Sequence, residues 1–331
     1  MKGFTGRLGG LGLIAAVWLV PGFAVAGDYS ERPELAGVLD AVTAEGVDRA
    51  WAQGVLDAAE RQQSIIDAIS RPAEKTKPWF EYRQIFVTDK RTRQGVEFAR
   101  EHADILAAVS ADTGVPVAVI TAIIGVETYY GRITGSYRVI DALATLAFDY
   151  PKRSPFFTGE LENFLVLTYQ SGKDPLLLKG SYAGAMGYGQ FMPSSYRAYA
   201  RDYDGDDVAD IWDNPGDAIA SVANYFIAHG WRAGEPVVVR AQGEGAPDDL
   251  FAAGLKPTLT VGDLAVQGVA PLEATDVSLL ATPLRLQGET ADEYWLGLHN
   301  FYVITRYNHS AMYALSVWQL SEAIAALLES A

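Results

Sequence analysis

The chain has 331 residues, no cysteine, four histidines and a formal net charge of −15. Lacking thiols, it can form no disulfide, no thiolate metal site and no lipid-modified N-terminal cysteine, so no lipid anchor is predicted. So acidic a chain is poorly suited to displacing counterions from phosphates, and no nucleic-acid partner is expected.

Residues 1–26 read as a secretory signal peptide. Lys2 and Arg7 supply a positive start, Leu11 to Val20 form an apolar stretch short for a membrane span, and Ala24-Val25-Ala26 is a small-x-small cleavage site. The mature chain would begin at Gly27 as a soluble protein of a bacterial periplasm; an uncleaved anchor is the alternative. What remains is long enough for one large core or two modest domains.

Apolar residues from Arg32 to Ser70, among them Leu35, Val38, Leu39, Val42, Val55, Leu56, Ile65, Ile66 and Ile69, recur at helical spacing. They define an N-terminal helical segment within residues 27–76 that Arg71-Pro72 would stop. Pro78 to Tyr82 reads as an aromatic loop. Thr88-Asp89 is a good N-cap region for a helix from about Lys90 to Ser110. Thr113-Gly114-Val115-Pro116 breaks that helix, and Pro116 opens the next.

That next helix contains Ala122-Ile123-Ile124-Gly125-Val126-Glu127-Thr128-Tyr129-Tyr130-Gly131. Val119, Ile120, Ile123 and Ile124 mark one apolar face, and Gly131 fits the residue just past the helix end. Glu127 is the only charge in the stretch and falls in the last turn, among aromatics. Apolar surroundings and the negative end of the helix dipole both disfavour its anion, so its pKa should rise. A carboxylic acid protonated near neutral pH suits general acid catalysis of glycosidic cleavage. The competing reading is an ordinary ion pair, with Arg132 for example.

A further helix is expected over Ile140 to Phe148, a loop over Pro151 to Pro155, and a helix over Phe156 to Ser171 with Glu160 and Glu162 facing solvent. From Gly180 to Ser195, glycines alternate with aromatics, Met, Ser and Gln. Glycine allows backbone to approach a ligand closely. Ser181 and Gln190 could donate hydrogen bonds, and Tyr182, Tyr188 and Phe191 could offer flat faces to sugar rings. The stretch matches neither a phosphate loop nor a dinucleotide fingerprint, and taken alone it reads as structural.

Asp202, Asp204 and Asp206 stand at positions 1, 3 and 5 of a calcium-type loop, with the Val208 carbonyl at position 7. Asp207 replaces the usual glycine, and Asp213 replaces the longer Glu at position 12. Asp tolerates the left-handed conformation better than most residues. The loop is expected to hold a structural Ca2+; a solvated acidic turn is the alternative. Beyond Trp231 the pattern turns to strands around Pro236 to Gln242, Val277 to Gln287 and Glu293 to Leu298, within an insertion at about 232–300. Ala311 to Leu328 closes the chain as a helix.

Taken together, Gly-Val-Glu-Thr-Tyr-Tyr-Gly (125–131), Ala-Thr-Leu-Ala-Phe-Asp-Tyr-Pro-Lys-Arg (144–153) and Gly-Ala-Met-Gly-Tyr-Gly-Gln-Phe-Met-Pro-Ser-Ser (184–195) resemble the B-type lytic murein transglycosylases. Ser221 to Phe226 and Thr305 to Asn308 extend the resemblance, which runs from about Pro78 to the C-terminus. It implies a mainly α, α+β fold: a lysozyme-like catalytic core over 77–331, an additional helical domain and a small β-containing segment. It implies cleavage, without water, of the β-1,4 bond between N-acetylmuramic acid and N-acetylglucosamine in peptidoglycan, leaving a 1,6-anhydro-muramyl end. Glycan strands are then the partner, other cell-wall enzymes are potential ones, and catalysis needs no cofactor.

By the same resemblance Glu127 is catalytic, and Tyr82, Ser181, Gln190, Tyr225, Tyr307, Asn308 and Tyr313 line the substrate groove. Phe156 stands where a groove tyrosine is common, which keeps a stacking surface without the hydroxyl. Ser181 and Asn308 would lie within hydrogen-bonding range of Glu127 or the adjoining sugar, and Tyr225 and Tyr307 on the walls. The family's longer metal loop places its closing ligand at Asp217. Asp141 or Asp149 would have to stand near Glu127 in a two-carboxylate lysozyme; Asp149 reads as a structural acceptor instead. A hydrolytic muramidase and a non-catalytic peptidoglycan-binding protein are the alternatives.

Overall fold

The computed structural model describes residues 28–70 and 77–330. The signal segment and the Arg71-Pro72 helix stop lie outside the described residues.

Three short helices, α1 (Leu35–Ala44), α2 (Arg49–Asp57) and α3 (Gln63–Ser70), realise the first periodic stretch. Asp48 caps α2 by accepting the Trp51 amide at 2.8 Å. The aromatic stretch after Pro78 is not a loop but a helix, α4 (Trp79–Phe86). Pro78 sits at its N-cap, and Trp79 is driven inside, 1% exposed. The single helix expected over Lys90 to Ser110 is two: α5 (Asp89–Glu101) and α6 (Ala103–Thr113), broken where His102 turns to φ −113°. The break lets α5 pack on the helix over residues 311–329 and on the following helix, while α6 turns mainly toward the helix over residues 215–228.

That following helix, α7 (Val117–Thr128), is buried at every position from Val119 to Val126. Its β-branched residues are indifferent helix formers, so its stability comes from packing on all sides. Next come β1 (Tyr137–Arg138), α8 (Val139–Asp149) and α9 (Ser154–Ser171), which starts inside the expected loop after a 3-10 turn. β2 (Lys179–Gly180) pairs antiparallel with β1. α10 (Pro193–Tyr199) follows. α11 (Pro215–Ala228) is capped by Asn214 Oδ1, which accepts from the Gly216 and Asp217 amides.

The insertion is an antiparallel sheet of β3 (Val238–Gln242), β4 (Leu259–Thr260), β5 (Ala270–Pro271), β6 (Leu280–Gln287) and β7 (Asp292–Gly297), in the order β4-β6-β7-β3-β5. α12 (Val261–Val266) lies against it, closed by a reciprocal Thr260–Asp263 capping box. α13 (His299–Tyr307) and α14 (Ala311–Glu329) end the fold. α14 is long and apolar enough to cross a membrane, but it packs on α7, α5, α4 and α13 as a core helix.

Three clusters of buried residues result. One joins α4 to α7 with α11, α13 and α14. A second unites α1 to α3 with α8 and α9, so the N-terminal helices share their core with later ones. The third is internal to the sheet insertion. Glu160, expected in solvent, is instead 5% exposed. Its carboxylate accepts the Ser194 amide at 2.9 Å and the Ser194 hydroxyl at 2.7 Å, capping α10 from α9. Glu162 is half-buried beside it. Glu160→Ala should therefore cost about 1–3 kcal/mol of stability by leaving two donors unpaired. Urea denaturation measures this, and a loss of only ~0.5 kcal/mol or less would mean that water replaces the carboxylate fully.

Candidate active site

Glu127 closes α7, where the apolar run gives way to Thr128 and two tyrosines. The turn after it begins earlier than Gly131: Tyr129 and Tyr130 themselves take left-handed conformations, φ 56° and 62°. Such conformations cost about 1–3 kcal/mol each and need outside support. Tyr130 supplies it by laying its ring over Gly125 and donating its hydroxyl to the Arg91 carbonyl at 2.8 Å. The Arg91 guanidinium, in turn, lies 4.1 Å from the centre of the Tyr129 ring. Thr128 donates to the Tyr188 carbonyl at 2.8 Å and accepts the Gly131 amide at 3.0 Å.

The Glu127 carboxyl makes a 2.5 Å hydrogen bond with the Tyr313 hydroxyl. Tyr313 lies in the first turn of α14, set there by the Ser310 cap, and is 3% exposed. Burial raises the Glu127 pKa from its ordinary value near 4.5 to about 7, and the Tyr313 bond opposes that only in part. Glu127 acts in return on its neighbours. Burial first, and then the nearby carboxylate, hold the Tyr82, Tyr307 and Tyr313 hydroxyls above their usual pKa. Three tyrosines from α4, α13 and α14 thus gather around one acid.

No ion pair competes for it. Arg132 donates to the Tyr129 carbonyl at 3.3 Å, and among the described residues no cation lies in ion-pair range of Glu127. Nor are the nearby aspartates free to act. Asp141, 3% exposed, pairs with Arg138 at 2.6 Å and accepts the Glu60 amide. Asp149 pairs with Arg32 and Arg61 and accepts the Tyr29 hydroxyl.

The glycine-rich segment is tied down from several sides. Tyr307 donates to the Gly189 carbonyl at 2.6 Å. Gln190, at φ 52°, donates its side-chain amide to the Thr134 and Gly187 carbonyls. Gly131 (φ 79°) faces the Tyr188 ring so closely that a Cβ would lie 2.2 Å from it. Ser181 accepts the Ala183 and Ala185 amides, so its hydroxyl shapes the turn rather than bonding Glu127. Asn308 is exposed, directly after α13, and its carbonyl accepts the Ser310 amide; it too makes no bond to Glu127.

Tyr225 is 8% exposed, donates to the Arg306 carbonyl at 2.6 Å and backs the Tyr307 ring at 4.7 Å, so it supports the wall rather than forming its surface. Phe191 is 3% exposed and packs beneath both rings instead of offering a face to sugar. Tyr182 and Phe156 stay open, with the Arg153 guanidinium 4.3 Å from the Phe156 ring centre. Thr128 and Arg91 were not anticipated. A threonine or arginine carries no local signal of which distant carbonyl or ring it will meet.

In the acidic loop, Asp202, Asp204 and Asp217 each bring one carboxylate oxygen within 4.8 Å of the others. Asp217, in the first turn of α11, is fully buried and accepts the Tyr203 and Asp210 amides. Burial raises its pKa, and the charges of Asp204 and Asp202 add to the rise. Asp207 takes the left-handed conformation expected of it, φ 71°. Asp206 stands outside the triad and accepts the Val208 amide at 2.9 Å. Asp217, not Asp213, completes the cluster.

The transglycosylase SLT domain family matches residues 30–322. The membrane-bound lytic murein transglycosylase B of Escherichia coli (strain K12) is 45% identical over 311 residues, covering 90% of this chain and 84% of that protein. The solved structure of the catenated lytic transglycosylase SltB1 from Pseudomonas aeruginosa is 50% identical, with a TM-score of 0.87 over 91% of this chain and 100% of that one. The E. coli lytic transglycosylase Slt35, solved in complex with calcium, is 44% identical, with a TM-score of 0.83 over 92% of this chain and 96% of that one. This chain therefore belongs to the transglycosylase SLT family and is a lytic transglycosylase, an enzyme that acts on peptidoglycan.

Proposed function

We propose that Glu127 is the one catalytic carboxyl group and serves first as acid, then as base. The observation that carries this reading is a carboxyl group bonded to Tyr313, unpaired with any cation among the described residues and raised in pKa by burial, while Asp141 and Asp149 are held by other partners. With Oε1 accepting from Tyr313, Oε2 is left to carry the proton. Glu127 protonates the glycosidic oxygen, and the bond to the muramyl C1 breaks as positive charge grows there. The muramyl N-acetyl oxygen stabilises that centre. The Glu127 carboxylate then removes the proton of the muramyl 6-hydroxyl, whose oxygen bonds to C1. The products are a 1,6-anhydro-muramyl end and a free N-acetylglucosamine end, and Glu127 is again protonated. Tyr82, Tyr307 and Tyr313 enclose the reacting carboxyl group. Ser181, Gln190 and Asn308 mark the path of the glycan, Phe156 offers it a stacking face, and Tyr225 braces Tyr307.

Glu127→Gln keeps the shape and removes the transferable proton. It should abolish release of anhydro-muropeptides from sacculi while binding persists. Mass spectrometry decides: sustained anhydro product from the variant sinks the assignment, and reducing ends one water heavier from the wild type indicate a muramidase.

The first step needs the proton, so turnover should fall as pH rises through about 7. Stability is linked with the same sign. The folded state holds this proton to higher pH than the unfolded chain, so stability falls as pH rises from near 4.5 to about 7. Glu127→Gln should flatten that decline in urea titrations. Parallel slopes for wild type and variant would deny the raised pKa.

Asp202, Asp204 and Asp217 hold a Ca2+ ion in the acidic loop, with Asp206 and the Val208 carbonyl as the remaining expected ligands. The support is the convergence of three carboxylate oxygens, whose mutual repulsion a hard divalent cation relieves. The role is structural, since Asp217 anchors α11. Ca2+ should raise the melting temperature by binding the native state, and Asp204→Ala should remove the response. Equal melting temperatures with Ca2+ and with chelator would favour the solvated-turn reading.

Periplasmic location and cleavage before Gly27 rest on the signal-like composition of residues 1–26. The N-terminal sequence of the exported protein tests this, and a retained Met1 would point to the uncleaved anchor.

A further inference from the structure

We propose that Glu293 is a positioning residue through which the inserted sheet holds α4, and with it Tyr82, against the catalytic acid. The inference rests on the reading of Glu127 as that acid and adds a source for one wall of its pocket.

Glu293 lies on β7, far in sequence from the three groups that donate to its carboxylate. Its side chain is 15% exposed and accepts from three donors on two other elements. These are the Trp79 indole at 3.1 Å and Arg83 at 3.5 Å, both on α4, and Arg240 at 2.6 Å, on β3. Trp79 and Arg83 are one helical turn apart, so both ends of a single turn are tied to one carboxylate. Tyr82 stands between them on that turn. Arg240 is itself braced by the Trp295 ring, 4.6 Å away.

α4 has only eight residues, too few to persist without tertiary support. Arg83 from α4 and Arg240 from β3 both reach Glu293, so one carboxylate bridges two cations on different elements. Its two arginines and the indole outweigh burial and hold its carboxyl below the usual range, favouring the charged form that bridges them. Removing it takes away the attraction that joins the sheet to α4. If Tyr82 swings away, the half-buried Glu127 carboxyl becomes more open to water, which stabilises its anion.

The test is the pH profile of anhydro-product release from soluble glycan strands, for wild type, Glu293→Ala, Trp79→Phe and Tyr82→Ala. Glu293→Ala should lower kcat/KM by about tenfold or more. It should also move the alkaline limb about one pH unit lower. Trp79→Phe keeps a buried ring and removes only one donor to Glu293. It should shift the limb in the same direction by less, and it stands as the test if Glu293→Ala does not fold. In a Tyr82→Ala background, Glu293→Ala should add no further shift, because both act through one wall. A folded Glu293→Ala enzyme, or Trp79→Phe in its place, with an unmoved limb overturns the proposal, as does a fully additive double variant. Glu127→Gln measured alongside separates the two readings. If it retains turnover, the acid assignment has failed. If it is inactive while the limb stays put, only the positioning role has.

Discussion

The structure depends on seating one half-buried carboxyl group among apolar and aromatic neighbours, where its charged form is poorly solvated. Glu127 ends a helix whose middle is buried on every side, so its own position is dictated by packing that involves most of the core. A charged carboxylate is expensive in such a place unless it is paired. No cation among the described residues pairs with it, and a single tyrosine hydroxyl is its bonded partner. The outcome is an acid that keeps its proton to about 7. Burial that would be a defect elsewhere is here what fits this group for the proposed acid role.

That arrangement has to be enforced, because the chain leaves α7 through two left-handed tyrosines. Tyr130 is locked over Gly125 and bonded to the Arg91 carbonyl, and Tyr129 stacks against the Arg91 guanidinium. Thr128 links the same turn to the glycine-rich segment, which Tyr307 and Gln190 grip from other directions. Local strain at the site is thus balanced by contacts from α5, α13 and the loop after β2. Polar side chains that look like ligand binders in a sequence, Ser181 and Gln190 among them, spend hydrogen bonds on building this frame. The acidic loop plays a similar part farther out. Asp217 joins its carboxylates to the start of α11, and α11 carries Tyr225 beneath Tyr307.

Much of this was legible in one dimension. The helices of the core follow from apolar spacing and from Pro and Gly at their ends, and Glu127 is conspicuous as a lone charge in an apolar run. The order of short motifs was enough to identify the family. The errors are instructive because each involves a contact made at long range. Pro78 to Tyr82 reads as a loop because Trp79 finds its burial only against distant residues. Glu160 reads as solvated because Ser194, its partner, is 34 residues away. Phe191 reads as a sugar platform because an aromatic residue carries the same side chain whether it faces a groove or a core.

The sequence by itself marked Glu127 as the candidate acid, since a lone carboxyl among apolar and aromatic residues in the last turn of a helix is disfavoured as an anion unless a cation pairs with it. It also determined the helical class and the composition of the acidic loop, both of which are local properties. Only the tertiary structure decided which groups surround the acid. Tyr82, Tyr307 and Tyr313 come from three helices, up to 231 positions apart in the chain, and meet Glu127 because those helices close on α7. Tertiary structure likewise chose Asp217 over Asp213 and made Glu293 the joint between sheet and α4. Hydrogen bonds and ion pairs act over a few ångströms, so their partners are settled only when the whole chain has packed.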